Sequence, residues 1–208
     1  MKHIKQLAPR LALQKSFPYV LIAMGAVGFL ASATINVKKA HLLANPTADL
    51  GCNLNPVYSC GSVLSTPQAE IFGFSNELLG IGMFAAIITL GVVMLAGGVF
   101  KAWLWRIFLL GMAGSMGFVF WFFFQSVYRI NALCIFCSFV WFATWTVTIA
   151  GAAWTYDRGF WPAIPSTAQR LTVWLRQRVL YVWLVLILLF AGLILQHFWY
   201  YYGQYFGY

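Results

Sequence analysis

Apolar residues in this chain collect into five long uncharged runs, and the segments between the runs hold the charged residues. The runs are Ser16–Val37, Leu78–Phe100, Ile107–Val127, Ala132–Trp154 and Val179–Tyr202. About 20 helical residues, rising roughly 1.5 Å each, cross a hydrocarbon core of roughly 30 Å, so each run is long enough to span a bilayer. The pattern predicts an all-α integral membrane protein with five transmembrane helices.

The first run also permits a second interpretation, a cleaved signal peptide, because Ala31-Ser32-Ala33 has the small residues of a cleavage site. However, the run is longer than the roughly 7 to 15 apolar residues of a signal peptide, and it continues beyond that site. We therefore predict a retained helix, with Ser16 and Pro18 as its cap and first turn.

The composition agrees with a membrane protein, since 62% of the 208 residues are hydrophobic, 19% are aromatic and only 8% are charged. A soluble domain has about 25% charged residues. In a soluble chain the net charge of +9 would suggest a nucleic-acid partner. Here the basic residues flank apolar runs, which is the pattern that sets membrane orientation. The sequence predicts a lipid environment and no nucleic-acid partner.

The basic residues also predict which side of the membrane each loop faces. With a cytoplasmic N-terminus only Lys38, Lys39 and Arg129 lie outside, as the positive-inside rule favours. The residues then inside are Lys2, Lys5, Arg10, Lys15, Lys101, Arg106, Arg158, Arg170, Arg176 and Arg178. In this orientation all four cysteines face the outer side of a cell membrane, where disulfides form and persist.

Two cysteines, Cys134 and Cys137, stand at the start of the fourth run with Cys-x-x-Cys spacing. On the first turn of a helix, residues i and i+3 share a face, so the two thiols can open and close a disulfide. The helix N-terminus stabilises a thiolate, which lowers the thiol pKa and makes the pair reactive. The alternatives are two small buried apolar residues, or a c-type haem site, which needs His where this chain has Ser138. Redox chemistry is the interpretation we favour.

The longest predicted connection, 40 residues from Lys38 to Glu77, holds the other two cysteines, Cys52 and Cys60. Loops of this length in a compact bundle are usually functional. Asn and Pro between the cysteines favour a turn that brings them together, and residues 63–74 are apolar enough to cap the bundle as a partial helix. A purely structural disulfide is the alternative, but two dithiols at one membrane level permit exchange. A four-cysteine zinc site is disfavoured because such sites use close-spaced cysteine pairs.

Two further features have simpler interpretations. Gly111, Gly114 and Gly117 predict a small-residue strip where another helix backbone packs closely. His197, near the outer end of the last run, is interpreted as a solvated side chain, because no second ligand-type residue stands at helical spacing from it.

Three motifs taken together resemble the bacterial branch of the vitamin K epoxide reductase family. They are Cys-Asn-Leu-Asn-Pro-x-x-Ser-Cys-Gly-Ser-Val, Ser-Thr-Pro-Gln-Ala-Glu-x-Phe-Gly-Phe-x-Asn-x-x-x-Gly-Ile and the Cys-x-x-Cys of the fourth run. The resemblance covers roughly Pro18 to Trp154. It implies a four-helix bundle around a quinone site, plus a fifth transmembrane helix and a partly helical outer loop that caps the bundle. Menaquinone or ubiquinone is the expected substrate, and no metal is expected.

The resemblance also implies roles for the cysteines. Cys134 and Cys137 are the quinone-side pair, with Cys137 nearest the ring. Cys60 exchanges with Cys134, and Cys52, on a polar loop, is the thiol that we expect an outside protein to reach.

Three residues are implied to bind the quinone: Thr66, Asn76 and Trp141. Thr66 and Asn76 match a hydroxyl residue and an asparagine of the family, and a fixed donor stabilises the negative charge that builds on a quinone oxygen. The alternative for Asn76 is an N-cap of the second helix. Trp141 stands where the animal enzymes have a tyrosine, and its indole donates one hydrogen bond but does not accept. This departure favours plain quinone reduction over epoxide reduction.

The activity implied by the resemblance is that of a membrane disulfide-generating oxidoreductase. Electrons pass from an outer thioredoxin-fold partner through the two cysteine pairs to the quinone, which supports oxidative folding of exported proteins. Because the last run ends close to Tyr208, we expect a separate, DsbA-like partner rather than a fused domain. The implied organisation is a cytoplasmic segment 1–16, a catalytic bundle 17–154 with the redox loop 38–77, a cytoplasmic loop 155–178, and a fifth helix with a short outer tail 179–208.

Two other functional classes compete with this one. The unrelated four-helix quinone-linked disulfide oxidase of bacteria does the same job, but its Cys-x-x-Cys lies in the first outer segment, which reverses the order found here. A transporter or membrane assembly factor would hold the cysteines as structural disulfides. Transporters more often carry ionisable residues inside their helices, and none of the five runs contains Asp, Glu, Lys or Arg.

Overall fold

The structure, a computed structural model, describes residues 2–46, 50–160 and 179–206 of the 208-residue chain. Its helices are α1 (Lys2–Ala44), α2 (Cys60–Leu64), α3 (Asn76–Leu95), α4 (Ala102–Phe124), α5 (Ile135–Asp157), α6 (Val179–His197) and α7 (Trp199–Tyr202). Two 3-10 helices, Pro67–Glu70 and Gly203–Phe206, and a π-helix, Gln125–Ile130, lie between or after them. No strand occurs within the three described ranges, and the predicted all-α fold is confirmed.

In these ranges five helices are long and apolar enough to cross a membrane. The spans are Lys15–Ala44, Asn76–Leu95, Ala102–Ile130, Ile135–Asp157 and Leu180–His197. The five predicted spans are therefore confirmed in number and approximate position. Most of the predicted cytoplasmic loop 155–178, with Arg170, Arg176 and Arg178, lies outside the described residues.

Helix α1 is longer than predicted at both ends. It already includes Ser16 and Pro18, so the predicted cap at Ser16 is wrong, and it continues past Val37 to Ala44. The extension carries two lysines beyond the apolar run, and both find partners in the loop that follows. The Lys38 ammonium donates to the carbonyl of Leu50, and Lys39 pairs with Glu70. These partners explain why a helix with two adjacent charges persists there.

The four-helix bundle is closed most tightly between α1 and α3. A Cβ placed on Gly28 of α1 would overlap the ring of Phe84 on α3. One placed on Gly91 of α3 would lie 2.9 Å from the carbonyl oxygen of Pro18. Glycine is therefore required for the two backbones to approach this closely. Helix α1 also packs on α5, and α5 packs on α4.

The glycine strip of α4 does not serve the predicted purpose. A Cβ placed on Gly111, Gly114 or Gly117 would meet no atom within 4 Å among the described residues, so no other helix packs against them there. Gly111 and Gly114 instead line the cavity described below. The close helix packing predicted for this strip occurs between α1 and α3, where Gly28 and Gly91 supply it.

Buried side chains form two clusters, one at each end of the bundle. The cluster near the cytoplasmic end of the predicted topology is built on Phe17, Trp105 and Trp154, whose rings lie 4.4 to 6.0 Å apart. The other cluster contains all four cysteines and the residues that fix them.

Helix α6 packs against this second cluster rather than standing apart. Phe190 is 5% exposed, with its ring 4.1 Å from that of Phe123 and 4.3 Å from that of Trp145. At the outer end of α6, the His197 Nε2 atom lies 2.7 Å from the Asn131 Oδ1 atom. His197 is partly exposed, and it also contacts a neighbouring residue, Asn131, which the sequence did not predict.

Candidate redox site

A tight turn brings the two loop cysteines together. Asn55 Oδ1 accepts hydrogen bonds from the backbone N–H groups of Val57 (2.9 Å) and Tyr58 (2.7 Å), as an Asx-turn does. The N–H of Leu54 donates to the Tyr58 carbonyl at 2.9 Å, which pairs the two arms of the turn. Cys52 and Cys60 then form a disulfide, with their Cα atoms 5.7 Å apart. The turn predicted from the Asn and Pro residues accounts for this pairing.

Cys60 is also fixed as the first residue of α2. Ser59 is the N-cap of this helix, and its hydroxyl accepts from the N–H of Ser62 at 3.4 Å. Asn53 Oδ1 accepts from the N–H of Gly61 at 3.1 Å and from the Ser59 hydroxyl at 3.2 Å. The backbone donors of a helix N-terminus are thereby satisfied by polar side chains that the loop motif supplies.

Backbone pairing holds the loop against the residues just before α5. The N–H of Leu133 donates to the Val57 carbonyl at 2.7 Å, and the N–H of Ser59 donates to the Leu133 carbonyl at 2.9 Å. Leu133 immediately precedes Cys134, and Ser59 immediately precedes Cys60. As a result, the Cys134 and Cys60 sulfur atoms lie only 3.6 Å apart.

The approach to α5 depends on a residue in the left-handed region. Asn131 has φ 55° and ψ 34° and ends the π-helix, so the chain turns there before Cys134. Asparagine tolerates this conformation better than most residues, because its short polar side chain can bond locally. The N–H of Ala132 donates back to the Ser126 carbonyl at 3.1 Å.

Cys134 is the N-cap residue of α5, and Cys137 lies in its first turn, as the spacing predicted. Both thiols are free and buried. Cys134 stands one residue before the membrane span, and the Cys137 thiol donates to its sulfur, which lowers the pKa of Cys134. The backbone N–H groups of Cys137 and Phe136 lower that pKa further, whereas burial and the charge of Glu77 oppose the lowering. The part due to these backbone N–H groups is the effect expected of a helix N-terminus on a thiol.

A cavity of about 540 Å³ lies beside this helix, within the bundle. Asn76, Cys137 and Trp141 line it, which brings three of the predicted site residues to one place. Its walls are mostly apolar side chains of α3, α4 and α5. Two lining residues, Leu79 of α3 and Ile107 of α4, are 47% and 58% exposed, so the cavity reaches the outside of the bundle between these helices. Its size and lining suit a small aromatic ligand with an apolar tail.

Asn76 is the first residue of α3 and not its N-cap, which is Ser75. Its Nδ2 atom donates to the Gln68 carbonyl at 2.8 Å, and its Oδ1 atom accepts from the N–H of Ile71 at 3.2 Å. Asn76 therefore ties the loop to α3 at the cavity wall. An amide nitrogen has two N–H donors, so one remains after the bond to Gln68.

Thr66 is not among the lining residues of this cavity. Its hydroxyl donates to the Val63 carbonyl at 2.7 Å, which occupies its single donor. The structure thus groups Asn76 and Trp141 with Cys137 but leaves Thr66 apart, and the implied contact between Thr66 and the quinone stays a prediction. Trp141 is 5% exposed and packs edge-on against Phe123, with ring centroids 5.5 Å apart.

Cys52 is less accessible than predicted. It is 3% exposed and Cys60 is fully buried. The loop is held down by the buried Lys39, whose Nζ atom lies 3.0 Å from Glu70 Oε1 and 3.3 Å from the Ala69 carbonyl. Access to Cys52 from outside therefore requires a movement of the loop away from the bundle.

One cavity residue, Glu77, has no counterpart among the predicted site residues. It is the second residue of α3 and lines the cavity with Asn76 and Cys137. In the sequence it stands at the boundary between the polar loop and the second apolar run. An acidic residue at that position indicates only that the loop ends there. Only its place on the first turn of α3 reveals that it faces the cavity.

Among the residues that the structure describes, no group of three or more His, Cys, Asp or Glu side chains is arranged to hold a metal ion. A family model described as "Vitamin K epoxide reductase family" matches residues 19–152 of the 208 residues. The matched region runs from α1 to α5 and includes every cysteine. No individual curated protein matches the chain.

Proposed function

Because this chain belongs to the vitamin K epoxide reductase family, whose model matches residues 19–152, we propose that it passes electrons from an exported protein through its two cysteine pairs to a membrane quinone. The family and the five apolar helices make it a multi-pass membrane oxidoreductase that acts on disulfides, in a family that uses quinones. The electron route, the quinone and the donor protein are our proposal.

The observation that supports the route best is the contact between Cys60 and Cys134. Their sulfur atoms are 3.6 Å apart, and an S–S bond is about 2.05 Å long. A sulfur displacement of about 1.5 Å therefore joins the two pairs. Cys137, the next thiol along, lines the cavity on the other side. The four cysteines thus form one line from the loop to the cavity.

The proposed reaction begins when a dithiol of the partner reduces the Cys52–Cys60 disulfide and is itself oxidised to a disulfide. The Cys60 thiolate then attacks Cys134 of a Cys134–Cys137 disulfide. Cys52 next attacks Cys60, which reforms the loop disulfide and leaves Cys134 and Cys137 as thiols. This product has the redox state of the structure, with a disulfide in the loop and two free thiols at α5.

In the final step, Cys134 and Cys137 are oxidised to a disulfide, and the quinone takes up two electrons and two protons to become a quinol. The two S–H bonds broken supply both protons, so the reaction balances without another reactant. For a two-electron couple, about 30 mV corresponds to roughly 1.4 kcal/mol, or a factor of about ten in the equilibrium constant. A quinone whose reduction potential lies a few tens of millivolts above that of the disulfides therefore drives electron transfer in one direction.

The partner that we propose is a separate thioredoxin-fold protein outside the cell membrane. The predicted topology places the N-terminus in the cytoplasm and the cysteines outside, where such proteins receive disulfides. Since Cys52 is 3% exposed, binding of the partner has to be coupled to movement of the loop.

Quinone reduction by the purified protein in lipid nanodiscs tests the proposal, with a small dithiol as donor and loss of quinone absorbance as the readout. We expect Cys134→Ala and Cys137→Ala to be inactive with short-chain analogues of both menaquinone and ubiquinone. Cys52→Ala should keep part of the activity, because a small dithiol can reduce the Cys134–Cys137 pair directly.

The matched control for these variants is Thr89→Ala on α3, which also truncates a small side chain to alanine. The Thr89 hydroxyl bonds only within its own helix, to the Ala85 carbonyl at 2.9 Å, and Thr89 is absent from the cavity wall. This control should match the unmodified protein. Full activity of Cys137→Ala would show that the electrons do not pass through this pair.

A further inference from the structure

Glu77 places a carboxyl group at the wall of an otherwise apolar cavity. It lines the cavity together with Cys137 and Asn76, and it is the one acidic residue to do so within the described ranges. Its side chain is half-buried, so it borders both the cavity and the outer surface. Placing an ionisable group on an apolar wall costs free energy. Residues of this kind are therefore candidates for a functional role.

The surroundings of Glu77 do not neutralise its charge as those of Glu70 do. Glu70, the other described acid of the loop region, pairs with the Lys39 ammonium at 3.0 Å. For Glu77 the neighbouring group is the Ser75 hydroxyl, which donates to Oε2. Ser75 precedes α3 on the outer side, so its hydroxyl connects the carboxyl to the face where water lies.

Glu77 also acts electrostatically on the dithiol at the start of α5. The lowered pKa of Cys134 arises first from the Cys137 thiol that donates to it, and the negative charge of Glu77 opposes the lowering. This electrostatic effect agrees with the geometry, in which Glu77 and Cys137 line the same cavity.

We propose that Glu77 is a catalytic residue that carries a proton between the α5 thiols and a carbonyl oxygen of the bound quinone. This proposal rests on the quinone reduction proposed above. The oxygens of a para-quinone lie on opposite sides of its ring, so a single thiol cannot reach both. The Glu77 carboxylate on the cavity wall accepts a proton from a thiol, directly or through water, as that thiol is oxidised, and passes the proton to one oxygen of the quinone as the electrons arrive.

The step is balanced without any added reactant. Two S–H bonds break, one S–S bond forms, and two O–H bonds form on the quinone, with the cysteines oxidised and the quinone reduced. Glu77 returns to its starting state at the end of each turnover. General acid catalysis of this kind typically contributes about 10²- to 10⁴-fold.

A purely structural role for Glu77 predicts something different. An acid in the first turn of a helix interacts favourably with the helix dipole. Losing that interaction would loosen the start of α3 and the loop bound to it, and would slow every step that depends on the loop. A proton-transfer role affects the quinone step alone.

The experiment measures the two half-reactions separately in nanodiscs. Fully reduced protein is mixed rapidly with a short-chain quinone to follow the quinone step, and oxidised protein is mixed with a small dithiol to follow the thiol step. The variants are Glu77→Gln, which keeps the shape but cannot carry a proton, and Glu77→Asp, which keeps the carboxyl. The control is Asp157→Asn, which removes a carboxyl from the last residue of α5, at its other end.

We expect Glu77→Gln to slow the quinone step by about 10²-fold or more, with the thiol step unchanged. Glu77→Asp should recover most of the rate, and Asp157→Asn should match the unmodified protein. The quinone step of the unmodified protein should also be slower in D₂O, a measurement that does not depend on a variant folding correctly.

Two results would overturn the role of Glu77 while leaving quinone reduction intact. One is a quinone step in Glu77→Gln as fast as in the unmodified protein. The other is an equal loss in both half-reactions, which marks a structural residue. If the unmodified protein itself fails to reduce any quinone, the proposed function fails instead, so the two failures are distinguishable.

Discussion

The ion pair between Lys39 and Glu70 should control how often the redox loop opens. The Lys39 side chain is 4% exposed, and besides its ion pair with Glu70 it donates a hydrogen bond to the Ala69 carbonyl at 3.3 Å. In the variant Glu70→Gln, the buried ammonium keeps that carbonyl but loses its counter-charge. We expect the closed loop to be destabilised and Cys52 to become accessible more often.

The size of the effect follows from the exposure of the two partners. Breaking a fully buried pair by removing one member costs roughly 3–5 kcal/mol, whereas an exposed pair contributes about 0–1 kcal/mol. Glu70 is 49% exposed, so its contribution is reduced by solvent screening. An intermediate value of about 1–2 kcal/mol raises the open fraction of the loop by a factor of roughly 5 to 30.

The assay is the rate at which a bulky hydrophilic reductant, too large to enter the closed loop, reduces the Cys52–Cys60 disulfide. The rate should rise by the same factor of about 5 to 30 in Glu70→Gln, because reduction proceeds from the open state. Lys39→Met removes the buried charge itself and should affect the rate less than Glu70→Gln does. An unchanged or lower rate in Glu70→Gln would show that the ion pair does not hold the loop closed.

Three further predictions concern single residues. Asn76→Ala should slow the quinone step about 10²- to 10³-fold, because it removes an amide that we expect to donate to the quinone. Thr66→Ser keeps the hydroxyl and should have almost no effect. Rapid mixing of reduced protein with quinone measures both. Asn131→Ala should slow exchange between the two cysteine pairs, because alanine lacks the polar side chain with which asparagine tolerates a left-handed conformation, and that conformation costs an ordinary residue roughly 1–2 kcal/mol. Asn131→Gly also loses the His197 contact but adopts the conformation freely. Comparing the two variants in the same stopped-flow measurement therefore separates backbone strain from the lost contact. A thioredoxin-fold partner lacking its resolving cysteine should be trapped as a mixed disulfide on Cys52, identified by mass spectrometry, and trapping on another cysteine would contradict the proposed order.

The sequence predicted those features that depend on local pattern. Five apolar runs specify five spans, and the Asn and Pro residues after Cys52 specify the turn that pairs it with Cys60. Cys-x-x-Cys at the start of a run predicted a thiol pair at a helix N-terminus, where Cys134 is now found as the N-cap. Each of these features is set by residues that are neighbours in the sequence.

The features that were missed depend on contacts between distant segments. Helix α1 continues to Ala44 because the loop supplies partners for Lys38 and Lys39, and no local pattern reveals those partners. Gly111 belongs to a strip on α4 whose spacing predicted close packing. However, the arrangement of the whole bundle decides which face of a helix contacts a neighbouring helix and which face lines a cavity. Glu77 belongs to the same class, since the cavity that it lines is formed by residues of several helices that are distant in the sequence.

The two glycines of α4 that line the cavity have a consequence for how the proposed quinone and the proposed partner protein would reach the site. Gly111 and Gly114 have no side chains to close the cavity on the side where Leu79 and Ile107 are exposed on the apolar outer surface of the bundle. The loop covers the opposite, aqueous side. A quinone would then enter sideways from the bilayer, and the partner would arrive from water. The effective concentration of the proposed quinone substrate would then be a mole fraction in the lipid, and the proposed partner and the quinone could be varied and saturated independently, each in its own phase.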